Sequence, residues 1–179
     1  ITGSQEVGND SVIKSEGYKG LDEAKKNVLE NNPLYYYYRT TTRGMHSAYV
    51  KNNDNTLWTW GNNSLGQLGL GDTEHRSSPV QVGTLKQWAS ASAGDSYTMA
   101  ITVSGSMWGW GLNTYRQVGV DLPGSGLRSS PVQVGTETNW YKVFAGTTHT
   151  IGMKRDGSLW AWGRNHRGQL GLGDIIVRS

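Results

Sequence analysis

Histidine is the residue of this sequence best suited to proton transfer or metal binding, and it occurs as His46, His75, His149 and His166. No two of these have the His-x-x-x-His spacing of a helical metal site. His46 and His149 hold equivalent places in two similar stretches, and a third such stretch has Tyr97 there. A general base titrating near neutral pH is not interchangeable with tyrosine, so we expect a structural hydrogen bond at this position.

Two glycine-rich stretches, 66–71 and 168–173, resemble loops that cradle phosphate. They lack the Gly-Lys-Ser/Thr ending and the dinucleotide-binding spacing, so we interpret their glycines as turn residues. Serines do not stand on a nucleophile elbow, and the carboxylates are scattered. The sequence therefore predicts a protein that is not an enzyme, with no catalytic residue, bound metal or cofactor.

Composition favours short strands joined by tight turns, since the chain has 25 Gly, 8 Trp and 9 Tyr. The net charge of +3 is too small to predict a nucleic-acid-binding surface. Cysteine is absent, which excludes disulfides and thiolate metal sites. No apolar run approaches the roughly 20 residues of a membrane span, so none is expected.

An internal repeat organises the sequence from about residue 40 onward. Leu57-Trp58-Thr59-Trp60-Gly61 returns after 50 residues and again after 52 more, ending in Trp110-Gly111 and Trp162-Gly163. The Gly-Gln-Leu-Gly-Leu-Gly-Asp and Arg-Ser-Ser-Pro-Val-Gln-Val-Gly blocks recur at similar spacing. Several blocks repeating in one order predict one small sheet per repeat, stacked on its neighbours.

The paired tryptophans of each repeat have the i, i+2 spacing that puts both rings on one face of a strand. The residue between them is always small: Thr59, Gly109 or Ala161. We expect these tryptophans to lie in the core rather than to stack on bases or sugars. Pro79 and Pro131 are expected at the first residue of an edge strand.

Residues 1–40 do not fit the repeat and predict a separate anchoring segment, followed by partial repeats over 41–179. We interpret residues 1–20 as an extended arm, about 21–30 as a short helix ending at Asn31-Asn32-Pro33, and 35–38 as a Tyr-rich strand.

The ordered motifs Trp-Gly-x-Asn-x-x-Gly-Gln-Leu-Gly, Arg-Ser-Ser-Pro-Val and Ala-Gly-x-x-His-Thr resemble the regulator of chromosome condensation repeat over residues 40–179. The resemblance implies an all-β fold of four-stranded β-propeller blades, here about two and a half repeats. The Trp-rich version looks most like copies from bacterial and bacteriophage proteins. Propellers usually close with four to eight blades, so we expect either a piece of a longer chain or an arc completed by other copies as a homo-oligomer.

Recognition is expected where the repeats differ. Ser64-Leu65, Thr114-Tyr115 and His166-Arg167 occupy one loop position with unrelated side chains, and the stretches 73–75 and 121–127 also differ. The candidate partner-binding residues are Leu65, His75, Tyr115, His166 and Arg167. Unremarkable loop variation is the alternative interpretation.

The sequence favours a protein-binding or structural module on a virion or on a bacterial or extracellular surface, in a tail, fibre or capsid attachment, with other proteins as partners. A nucleotide exchange factor for a small GTPase is the alternative that the resemblance implies. That activity in the family uses an inserted β-wedge. The spacing from Gly69 to Arg76 and the spacing from Gly119 to Arg128 differ by only two residues, so no such insertion is visible in these repeats. A secreted propeller that inhibits an enzyme is a third hypothesis.

Overall fold

The computed structural model of the chain describes residues 39–51, 54–120 and 126–179. The predicted arm, helix and Tyr-rich strand before residue 39 lie outside these residues. The described part forms eleven β-strands: β1 (Arg39–Arg43), β2 (His46–Lys51), β3 (Thr56–Gly61), β4 (Arg76–Gln81), β5 (Trp88–Ala93), β6 (Tyr97–Thr102), β7 (Met107–Leu112), β8 (Leu127–Val134), β9 (Trp140–Ala145), β10 (His149–Lys154) and β11 (Leu159–Gly163).

These strands build three antiparallel sheets in chain order. The first sheet is β1-β2-β3-β4, the second is β5-β6-β7-β8, and the third contains β9, β10 and β11. In the first two sheets the fourth strand is β4 or β8. At the equivalent place in the third sheet, Arg178 forms a single bridge to Gly163. The all-β prediction of partial propeller blades is confirmed.

Each pair of neighbouring sheets encloses its own hydrophobic core. Between the first and second sheets the buried side chains include Val50, Leu57, Trp88 and Trp110. Between the second and third sheets they include Met99, Met107, Val118, Trp140 and Trp162. Burial of large apolar side chains in both cores supplies the main stabilisation of the stack.

The paired tryptophans of the repeat do share one face of their strand. In the second sheet Trp88 makes edge-to-face contacts with both Trp108 and Trp110, at centroid distances of 6.3 and 6.0 Å. On the other face Gly109 is closely packed, since an added Cβ would lie 2.7 Å from Met99 Sδ and from Val118 Cγ1. The small residue between the tryptophans is therefore required by packing.

Trp160 departs from the expectation that every periodic tryptophan is core. Its ring packs on Trp140 and under the Lys154 ammonium, but the residue is 50 % exposed. Trp160 lies on the same face as Trp140 and Trp162, which pack towards the second sheet. In the second sheet Gln133 of β8 pairs with Trp108, but among the described residues no fourth strand pairs with β11 beside Trp160, which leaves its ring more open.

The two prolines confirm one part of their prediction and correct the other. β4 and β8 are edge strands, as expected. Pro79 and Pro131 are not the first residues of these strands but lie inside them. The ladder opposite shifts register between Thr59 and Gly61 and between Gly109 and Gly111, which accommodates a residue that cannot donate a hydrogen bond.

The glycine after each Trp strand is fixed by a close backbone approach. Gly61, Gly111 and Gly163 have φ between 99° and 104°. A Cβ at these positions would lie 2.6 to 2.8 Å from the Cα of the residue at the start of the neighbouring strand, which is His46, Tyr97 or His149. Only glycine combines this φ with this contact.

A buried hydrogen-bond cluster joins the first sheet to the second, and we call it the first interblade cluster. The Gln67 carbonyl accepts from the Trp110 indole at 2.9 Å and from the Thr98 hydroxyl at 2.8 Å. Because the Thr98 hydroxyl donates its proton to the Gln67 carbonyl, its oxygen accepts from His46 Nε2 at 2.9 Å. All four residues are buried.

The second interblade cluster repeats this arrangement between the second and third sheets. The Gln117 carbonyl accepts from the Trp162 indole at 3.0 Å and from the Thr150 hydroxyl at 2.7 Å. Tyr97 takes the place of His46, with its hydroxyl 2.5 Å from the His149 carbonyl and 2.9 Å from the Thr150 hydroxyl. The expectation of a structural hydrogen bond at position 46 and its equivalents is confirmed for both His46 and Tyr97.

Burial also controls the ionisation of His46. Desolvation lowers its pKa to about 4, although the nearby Asp95 charge opposes the shift. The ring is therefore neutral at pH 7, with its proton on Nε2 facing Thr98, and Nδ1 is buried without a partner among the described residues. A neutral, enclosed imidazole in this position joins two sheets and has no access to a substrate.

Arg116 occupies the loop position held by Gly66 and Gly168 in the other repeats. The position accepts a non-glycine residue, but its φ of 62° stays in the left-handed region, beside 74° for Gly66 and 73° for Gly168. A side chain with a Cβ costs about 1 kcal/mol or more in this conformation.

The neutral His46 predicts a pH-dependent stability that a tyrosine would remove. His46 binds a proton below about pH 6.5 in the unfolded chain, but only below about pH 4 in the folded protein. The contribution of the neutral ring to stability is therefore complete above pH 6.5 and is lost as the pH falls from 6.5 to 4. We expect the free energy of unfolding of the wild type to fall by about 2 kcal/mol relative to His46→Tyr between pH 7.5 and pH 5. Urea unfolding of both proteins measures the difference.

The variant His46→Phe separates titration from hydrogen bonding. It also lacks the ionisable ring, but unlike His46→Tyr it leaves Thr98 without a donor, so it should be less stable than His46→Tyr at pH 7.5. Parallel stability curves for the wild type and His46→Tyr would show that His46 is not the titrating group.

Relief of the left-handed backbone predicts that Arg116→Gly is more stable than Arg116→Ala by about 1 kcal/mol. Both variants lose the guanidinium group, so their difference reports the backbone alone. Chemical denaturation at pH 7.5 provides the measurement, and equal stability of the two variants would contradict this account.

Candidate functional site

The long connections of all three repeats lie at the same end of the sheets. Residues 62–75 join β3 to β4, residues 113–120 follow β7, and residues 164–177 follow β11. Residues 121–125 of the predicted variable stretch 121–127 lie outside the described residues. The antiparallel register puts these segments beside the short turns at 44–45, 94–96 and 146–148. At the opposite end, the connections between described strands are shorter, such as 82–87 and 135–139.

A buried asparagine holds each long connection in the same shape. The side chain of Asn63 donates to the Asp72 carbonyl and accepts from the Leu68 amide at 2.9 Å. Asn113 and Asn165 make the corresponding bonds in the second and third repeats. Their backbone carbonyls also accept from the residue three positions later, which closes the first turn.

A glutamine side chain then fixes the position where the repeats differ. Gln67 Oε1 accepts from the Leu65 amide, Gln117 Oε1 from the Tyr115 amide and Gln169 Oε1 from the Arg167 amide, at 2.8 to 2.9 Å. Three different side chains therefore stand on one rigid backbone frame. We call these positions, with the residue before each, the variable rim: Ser64, Leu65, Thr114, Tyr115, His166 and Arg167.

The structure places most of the candidate residues on this variable rim. Ser64, Thr114, His166 and Arg167 are exposed, and Leu65 and Tyr115 are partly exposed. His75 is exposed too but lies further along its loop, where its Nδ1 accepts from the Asn63 amide at 2.9 Å. His75 thus supports the frame of the first loop as well as facing solvent.

The third repeat adds a charged group that was not among the sequence candidates. The guanidinium carbon of Arg164 lies 4.5 Å from the centroid of the Tyr115 ring, so side chains of two repeats contact each other across the rim. The pKa of His166 is lowered by desolvation and by the charges of Arg164 and Arg167. The signal available in the sequence was the change from Asn62 and Leu112 to arginine at position 164.

Chemistry of other kinds has little support in the described residues. Across 39–51, 54–120 and 126–179, no cluster of three His, Cys, Asp or Glu side chains could hold a metal ion. No helix in the same ranges is long and apolar enough to span a membrane.

A groove of about 510 Å³ lies between β4 and the second sheet, lined mainly by side chains that recur in the repeat, such as Val80, Trp88, Trp108 and Pro131. Since its walls are repeat residues, the groove follows from the way neighbouring sheets pack.

A sequence profile described as the regulator of chromosome condensation (RCC1) repeat matches residues 54–101 and 104–153. A second profile with the same description matches residues 88–117 and 140–169. The first alone accounts for more than half of the chain.

Sequence relatives are much longer than this chain. The ultraviolet-B receptor UVR8 of Arabidopsis thaliana is 38 % identical over 128 residues, which is 69 % of this chain and 28 % of the receptor. The X-linked retinitis pigmentosa GTPase regulator of Homo sapiens is 31 % identical over 162 residues, 84 % of this chain and 16 % of that protein. The chain thus spans less than a third of either relative.

Solved structures agree on the fold. Prp20p from Saccharomyces cerevisiae superposes with a TM-score of 0.70 at 20 % identity, covering 80 % of this chain and 37 % of Prp20p. Human WBSCR16 gives 0.68 at 21 % identity, covering 79 % and 36 %. The profile match over more than half of the chain shows that it belongs to the regulator of chromosome condensation (RCC1) repeat family.

Proposed function

We propose that this chain is a non-enzymatic protein-binding module that recognises its partner through the variable rim. The observation that carries the proposal is the contrast within the rim itself. The backbone is held by the same asparagine and glutamine bonds in every repeat, whereas the side chains at 65, 115 and 167 are Leu, Tyr and Arg. A rigid frame that presents unrelated side chains is the arrangement by which a repeat scaffold acquires specificity.

The chemistry of the rim supports a protein partner. Tyrosine and arginine are the side chains most often found as anchors in protein interfaces, and here they contact each other. Their backbones are already fixed, so little conformational entropy is lost when a partner binds. Relatives of this chain include a photoreceptor and a GTPase regulator by name, and propeller repeats are the part that they share with it.

A virion or bacterial-surface location belongs to this proposal as its setting. It is supported by the likeness of the Trp-rich repeats to bacterial and bacteriophage copies. Mass spectrometry of purified particles and envelope fractions tests it, and recovery of the protein only in soluble cytosol would contradict it.

Regulation of a small GTPase is the second candidate. It is favoured by the likeness to the X-linked retinitis pigmentosa GTPase regulator over 84 % of this chain. A nucleotide-release assay with a panel of small GTPases distinguishes the two functions. Acceleration of release by the wild type would place this candidate first.

Photo-crosslinking from the rim should identify the partner. A photoreactive amino acid replacing Leu65, Tyr115 or Arg167 should form adducts with the same protein in cells that contain the natural partners. The matched controls are Thr84, Thr136 and Arg155, which are exposed at the opposite end of the sheets. Adducts are identified by mass spectrometry, and equal adducts from both ends would contradict recognition at the rim.

With the purified partner, Tyr115→Ala should raise the Kd by about tenfold or more, as for an aromatic anchor. The matched control is Tyr141→Ala, because Tyr141 is an exposed tyrosine on β9, away from the long connections. Calorimetric titration gives both values. A Kd that changes equally in the two variants would locate the binding surface elsewhere.

A further inference from the structure

The third repeat concentrates positive charge on the variable rim. Its positions 164, 166 and 167 are Arg, His and Arg. The equivalent positions are Asn, Ser and Leu in the first repeat, and Leu, Thr and Tyr in the second. Since two repeats build the same loop with uncharged residues at these three positions, the fold does not require charges there.

The arginines that the fold does require are bonded differently. Arg76 and Arg178, which recur in each repeat, form ion pairs with Asp72 at 2.6 Å and with Asp174 at 2.5 Å. Arg128, their equivalent in the second repeat, donates to the Leu127 carbonyl. These recurring arginines therefore bond within their own loops and strands.

Arg164 and Arg167 have no such role. Among the described residues neither forms an ion pair, and the side chain of Arg167 is exposed. Arg164 is oriented by the Tyr115 ring, which it covers at 4.5 Å. The ring contact leaves the guanidinium N–H groups at its edge available to an acceptor. Uncompensated charges grouped on a rigid loop raise the local positive potential, in agreement with the lowered pKa of His166.

Relying on the proposed function of the rim, we propose that Tyr115, Arg164, His166 and Arg167 form a cationic cluster that binds an acidic segment of the partner protein. Carboxylates match the planar guanidinium group, which donates two parallel hydrogen bonds to one acid group. Arg164 and Arg167 supply two such donors, and Tyr115 holds the first in place.

The distribution of charge along the rim favours an acidic peptide over a nucleic acid. Charges at positions equivalent to 164, 166 and 167 are confined to the third repeat; the second repeat has Arg116 in its loop, and the first presents the uncharged Leu65 and Ser64. A polyphosphate backbone needs cations along its whole path, because each neutralised phosphate contributes to affinity. A segment with carboxylates at one end and an apolar residue at the other matches the sequence of side chains along the rim.

Fluorescence anisotropy with defined probes tests this proposal on the full chain. The main probe is a dye-labelled peptide rich in Asp and Glu that also contains a leucine. Its Asn/Gln counterpart and an oligothymidylate of equal charge are the comparison probes. We expect the acidic peptide to bind more tightly than both, and the double variant Arg164→Gln/Arg167→Gln to weaken its binding by about tenfold or more.

The double variant Lys86→Gln/Arg155→Gln is the matched control. It removes the same net charge from exposed positions at the opposite end of the sheets, and its affinity should stay within about twofold of the wild type. Thermal unfolding of both double variants verifies that they remain folded, as expected for exposed side chains.

Three results would overturn the proposal: equal loss of affinity in both double variants, equal binding of the neutral peptide, or tighter binding of oligothymidylate. The last of these would assign the cluster to nucleic acid. Rim photo-crosslinks that identify a protein partner, together with any of these results, would leave the proposed function standing and remove only the acidic segment. Failure of the crosslinks and of the peptide would remove both.

Discussion

One backbone carbonyl in each of the first two long connections sets the geometry of the junction with the next sheet. Gln67 and Gln117 each accept a tryptophan indole and a threonine hydroxyl from the next sheet, in a region from which water is excluded. A buried carbonyl that accepts from two donors is fully hydrogen-bonded. Loss of either donor would leave it partly unpaired in the core, and the protein would be destabilised by the desolvation of that carbonyl. The loop, the Trp strand and the following strand are therefore tied to one atom, and neighbouring sheets have one way to fit.

This constraint explains why one residue of each loop recurs while its rim side chains vary. The glutamine backbone serves the interblade cluster, while its own side chain holds the amide two residues earlier. The backbone and the side chain of the glutamine thus both have structural roles, and the side chain two positions earlier is free to vary. The rim side chains can differ between repeats because the recurring residues beside them hold the backbone in the same shape.

The strands, the shared face of the paired tryptophans and the structural role of position 46 could be predicted from the sequence, because each depends on local periodicity or on comparison between repeats. The partner of His46 could not, since Thr98 lies 52 residues away and is ordinary in sequence. The position of the two prolines inside their strands could not be predicted, because it depends on register shifts in the neighbouring strand, and these are tertiary features. Within the candidate site, the loop positions were predictable, but the contact between Arg164 and Tyr115 depends on how two repeats are set side by side.

Both interblade clusters point the same way along the chain. His46 or Tyr97 reaches forward to a threonine, and the following sheet returns an indole to the preceding loop. An interface of this head-to-tail kind uses two different surfaces, so every repeat carries one complete set of each. A gene that gains, loses or exchanges a repeat therefore preserves the fit at every junction. Because the side chains of rim residues take no part in the interblade clusters, such recombination would redistribute recognition chemistry without redesigning the fold.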